Sequence, residues 1–115
     1  MTTIPEPPAD LSEESRALWP GLAADVRATT GGAVVDYLVL ADALRAQDRL
    51  AQVRATLAVE GVTIAGSKGQ TRPHPLLIAE RTLRRDVAEA FARLGLGAKD
   101  RWRYTVTAAG RLHAQ

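Results

Sequence analysis

Cysteine is absent from the chain, which excludes a disulfide framework and every thiolate metal site. Histidine is nearly so: only His74 and His113 occur, and neither has a second ligand at the spacing a metal site needs. Aromatic residues make up 4% of the 115 positions, too few for an aromatic-rich β core. The apolar fraction of 46% rests on alanine and leucine, which favour close-packed helices. No apolar run approaches the twenty residues that cross a bilayer, and the polar, proline-rich start MTTIPEPPAD has nothing of a signal peptide. A soluble, intracellular, single-domain protein with no membrane partner is expected.

What is present is unevenly distributed. The formal charge is +2, but residues 1–60 hold five arginines against nine acids, and residues 61–115 hold ten lysines and arginines against four acids. An acidic front and a basic back point to a polyanionic partner for the second half, nucleic acid first.

Hydrophobic spacing predicts a mainly α fold. Prolines 5, 7 and 8 make residues 1–10 an extended, flexible arm. A first helix opens at Asp10 or Ser12, with Glu13 and Glu14 on the positive end of its dipole and a stripe of Leu18, Leu22 and Val26. Pro20 predicts a kink or break within it. A long second helix, about Ala33 to Glu60, carries two apolar stripes. The first contains Val35, Val39, Ala43, Ala46, Leu50, Val53 and Leu57, of which Val39 to Leu57 are the seam candidates; the second contains Tyr37, Leu40, Leu44, Ala51, Ala55 and Ala58. One antiparallel helical hairpin buries one stripe, so the first is the candidate subunit seam of a homo-oligomer. Coverage of both stripes by the first and third helices of one chain is the alternative.

After Gly61 the sequence predicts a small β-hairpin at about 62–72, turning at Gly66–Gly69 and stopped by Pro73. Pro75 suits the first position of a third helix running to about Leu94. Residues 11–97 thus form a helical core, and residues 98–115 a basic and aromatic tail. Gly66, Gly69, Pro73 and Pro75 are structural turn residues rather than ligand contacts.

Chemistry finds little purchase. Gly61 and Gly66 have the gap of a phosphate loop, but Ser67-Lys68 follows in the wrong order, and no helix begins there. Ser67 and His74 lack a third partner for hydrolysis. No catalytic residue, metal or cofactor is expected, and the protein is not an enzyme. The cations remain. Lys68 and Arg72 on the hairpin and Arg81, Arg84 and Arg85 on the third helix form a candidate phosphate-holding surface. Lys99, Arg101 and Arg103 come second, interleaved with Trp102 and Tyr104 that suit base stacking or core docking. His74, between two prolines, is expected to cap the third helix or touch a phosphate. A helix-turn-helix regulator is excluded by the length of the second helix and the hairpin after it.

The order of features is specific: Leu11-Ser12-Glu13-Glu14, Ala17-Leu18-Trp19, Asp36, Glu60-Gly61-Val62, then Gly66-Ser67-Lys68-Gly69-Gln70, Arg72-Pro73-His74-Pro75 and a closing Leu94-Gly95-Leu96. Over about residues 11–103 this resembles the small subunit of the phage terminase, in the P27 family. The resemblance implies a non-catalytic, ring-forming DNA-packaging protein of the host bacterial cytoplasm. Such a protein binds double-stranded phage DNA at the packaging start and recruits the large ATPase–nuclease subunit. An adaptor within the packaging motor or a phage nuclease complex, without direct DNA recognition, is the alternative.

Overall fold

The computed structural model describes residues 3–96. Helix α1 spans Glu13–Thr30. Ser12, in extended conformation, caps it by accepting the Ser15 amide at 3.1 Å, and Glu13 and Glu14 occupy the first turn. Gly31, at φ 90°, closes it by returning its amide to the Arg27 carbonyl. The helix runs uninterrupted through Pro20, where the sequence predicts a kink or break. Pro20 is exposed while Trp19 beside it is buried, so packing on the Trp19 side holds the helix across the missing amide.

Helix α2, Val34–Glu60, is the spine. At 1.5 Å per residue its 27 residues span about 40 Å, within a particle measuring 64 × 30 × 26 Å. Both α1 and α3 pack on it, α3 more extensively. Helix α1 covers only the first half. Its capping Ser12 meets Asp48, so beyond that level α3 is the helix that flanks α2 among the described residues. The core therefore lies at one end, where Trp19, Leu22, Ala23 and Val26 of α1 meet Leu40 and Leu44 of α2 and Val87, Phe91, Leu94 and Leu96. Leu40 and Leu44 are fully buried, worth about 1.5–3 kcal/mol each.

The far end is thinner. Gly61 returns its amide to Leu57 at 2.7 Å and ends α2. Strands β1 (Thr63–Ala65) and β2 (Thr71–Pro73) then pair antiparallel, with Ile64 opposite Arg72. Pro73 pairs opposite Thr63 rather than stopping the ladder. In a two-stranded ribbon its missing amide faces an open edge. Helix α3, Leu76–Arg93, runs back along α2. Pro75 stands just before it in helical conformation, one residue from the predicted start.

Residues 3–8, which carry no regular structure and lead into a turn at 9–10, are anchored to the body. Trp19 Nε1 donates to the Pro5 carbonyl at 2.7 Å, and Ile4 packs on the core.

Candidate nucleic-acid interface

The hairpin is closed by a three-residue connection of the bulged type. The Gly66 amide donates to the Gln70 carbonyl, and the Gly69 amide donates back to Gly66 at 3.0 Å. Gly69 sits at φ 83°, left-handed backbone that this connection requires and a side chain resists. At Gly66 a Cβ would fall 2.6 Å from the Gln70 amide group and 2.8 Å from Arg72 Cδ. The missing side chain lets both neighbours lie across the ribbon. Lys68 is at the tip, Arg72 is midway down β2, and every residue of β2 is exposed.

Helix α3 supplies the other cations. Arg81, Arg84 and Arg85 are exposed on its outer side, three and four residues apart and therefore neighbours. Among the described residues none of these three side chains, nor those of Lys68 and Arg72, has an ion-pair or hydrogen-bond partner. Arg54 is different: it pairs with Glu80 at 3.2 Å and ties α2 to α3. Lys68 and Arg72 therefore stand on the ribbon at the thin end, while Arg81, Arg84 and Arg85 run along the outer side of α3 to about its middle. Lys99, Arg101 and Arg103 lie outside the described residues.

His74 sits at the base of the ribbon, 7% exposed. Its Nδ1 accepts the Leu76 amide at 3.1 Å, capping α3 as expected from the sequence. That bond leaves Nε2 as the protonated nitrogen, which donates to Glu60 Oε1 at 2.7 Å. The His74 amide donates to the Val62 carbonyl at 2.8 Å.

The thick end has the opposite sign. Asp42, Asp86 and Glu89 line a groove of about 330 Å³ between α2 and α3, with Arg93 the sole cation there. Asp10 pairs with Arg45 at 2.7 Å, and Arg45 with Asp42 at 2.9 Å. The hydrogen bond from the Arg45 guanidinium holds the Asp10 carboxyl below the usual carboxylate range, with desolvation opposing it. Acidic side chains thus line the α2–α3 groove, while the ribbon carries Lys68 and Arg72.

The stripe of α2 proposed as a subunit seam turns out to be the face that α3 occupies. Ala43, Leu50 and Leu57 are buried within the single chain, and Val39, Ala46 and Val53 are half-buried. The second stripe is the one left incomplete. Its first half, Tyr37, Leu40 and Leu44, is buried; Ala51, Ala55 and Ala58 are exposed where α1 has ended. Val59 and Val62 beside them are 86% and 57% exposed. Periodicity alone showed two stripes but not the length of the helix covering either.

Sequence reasoning passed over Asp48. It accepts from the Ser12 amide at 2.8 Å and from the hydroxyls of Ser12 and Ser15 at 2.6 Å each. Burial pushes its carboxyl up, but the three donors prevail and hold it below the ordinary value. No local signal marks a partner more than thirty residues away.

The described residues combine a helical body with an exposed β-ribbon that carries Lys68 and Arg72. The family model of the phage terminase small subunit matches residues 15–111. The chain belongs to that family. Membership places this terminase small subunit in phage DNA packaging, where small subunits are generally regulatory rather than catalytic. Comparison with curated proteins gives no match, and neither does comparison with solved structures. Among the described residues no helix is long and apolar enough to cross a membrane.

Proposed function

We propose that this terminase small subunit binds double-stranded phage DNA at the packaging start through the cations of its ribbon and α3 and brings the large subunit to it. The observation that supports the reading is the set of five exposed cations, Lys68 and Arg72 on the ribbon and Arg81, Arg84 and Arg85 on the outer side of α3, none with an ion-pair partner among the described residues. Phosphate contacts of this kind bind without reading sequence, and base recognition adds to them. Lys99, Arg101 and Arg103 are further candidate DNA contacts by their charge alone. The hairpin motif Gly66–Pro75 supports the P27 branch of the family.

Titration with random duplex tests the reading. With five phosphates neutralised, log affinity falls against log salt with a slope of about −4.5. Binding that is absent at low salt leaves the adaptor role without direct DNA recognition.

The protein assembles as a ring, with the seam on Ala51, Ala55, Ala58 and the nearby Val59 and Val62, apolar surface left exposed by the described elements of the protomer. An A55E/V59D double variant is expected to dissociate the assembly in light scattering while its helix content stays unchanged. A wild-type monomer across micromolar concentrations would overturn the ring. The large subunit docks at the opposite end of α2, where Val34, Val35 and Leu38 are exposed. This end is free of the DNA-binding cations.

A further inference from the structure

A ribbon of two three-residue strands is marginal on its own, and this one has almost no apolar face, since only Ile64 among its strand residues is half-buried. Something other than core packing has to hold it. His74 makes the connections. Its ring joins the end of α2, through Glu60, to the first turn of α3, through the Leu76 amide. Its backbone amide extends the ribbon by one bond to Val62, and its carbonyl accepts from Leu77 at 3.0 Å. Both ring nitrogens are used, in one tautomer, on a side chain almost fully buried. Three elements converge there, and the ribbon leaves from the same point.

Resting on the DNA reading above, we propose that His74 is a positioning residue. It sets the angle of the ribbon so that Lys68 and Arg72 share one phosphate-binding surface with Arg81, Arg84 and Arg85. It touches no DNA itself. Without the ring, the ribbon remains tethered through its two chain connections but samples many orientations, and its two cations lose the gain that comes from being held in place.

A cycle of variants separates this role from general destabilisation. In the wild-type background, K68A/R72A is expected to weaken duplex binding about tenfold and reduce the salt slope by about 2. In an H74A background the same pair should cost under twofold, because the ribbon's contribution is already lost. R81A/R85A should keep its full cost in both backgrounds. H74N retains an acceptor for the Leu76 amide but not the reach to Glu60, and E60Q weakens that second bond while leaving the cap. Each is expected to show an intermediate loss, which keeps the test open should H74A fold poorly. Amide exchange over residues 62–73 reads the ribbon without DNA. It should accelerate at least tenfold in H74A while exchange in α1 stays unchanged. Unchanged protection in H74A, H74N and E60Q overturns the positioning role. Equal cost of K68A/R72A in both backgrounds overturns it too. If K68A/R72A costs nothing in wild type, the DNA reading of the ribbon falls, and the exchange data still decide whether His74 orders it.

Discussion

Reversing two charges on α3, in R81E/R85E, is expected to lower affinity for random duplex on the order of 10²-fold at about 0.1 M salt and to reduce the salt slope by about 2. Both side chains are exposed and without ion-pair partners among the described residues. The fold should therefore be indifferent: helix content and thermal midpoint stay within error of wild type. The large effect has two parts. Two attractive contacts are lost, and two carboxylates are brought to the phosphates in their place. Arg16 provides the control, an exposed arginine on α1 outside that set of cations. R16E should change affinity less than threefold. Fluorescence anisotropy at three salt concentrations reads all of this. An R81E/R85E protein that binds as wild type would move the interface off α3.

Asp48→Ala is expected to destabilise the protomer by about 3 kcal/mol, read by urea unfolding. The carboxylate accepts three hydrogen bonds, and bonds to a charged acceptor are worth roughly 1.5–3 kcal/mol each, though not additively. Ser15 is 2% exposed, so its hydroxyl is left buried without its acceptor. Asp48→Asn should recover part of the loss, since its carbonyl oxygen still accepts while its amide faces donors. The effect is pH-dependent. The folded carboxyl titrates below its unfolded counterpart, whose value is about 3.9. Its contribution is therefore complete above that value and is lost as pH falls through the lower, folded one. Wild type and D48A should accordingly converge in stability toward low pH. A constant difference between them down to pH 2 would show that Asp48 acts through shape and not charge.

The loss should also be local. Asp48 is where α1 begins and where its cover over α2 stops, so D48A frays the start of α1 and lengthens the uncovered apolar stripe beyond Ala51. In an assembly built on that stripe, the variant alters the seam as well as the protomer.

Much of this protein was legible in its residues because the signals are local. Ser12 caps α1, Gly31 and Gly61 end their helices, and Gly69 takes the left-handed turn, each decided by backbone groups within a few positions. The second half's cations and the Gly66–Pro75 motif likewise pointed to the family before any coordinates. What local signals could not carry was who covers whom. Pro20 did not break α1, because packing around Trp19 outweighed one missing amide. Leu50 and Leu57 face α3 within the protomer, while Ala51, Ala55 and Ala58 are left open. Both outcomes follow from where α1 begins and on which side α3 returns. The sequence by itself determined the elements, their ends and the sign of charge along them, since these depend on neighbours in the chain. Only the tertiary structure decided the acidic groove between α2 and α3, the pairing of Asp48 with the start of α1 and the knot at His74. Those depend on groups brought together across fourteen to more than thirty residues, a separation at which spacing carries no signal.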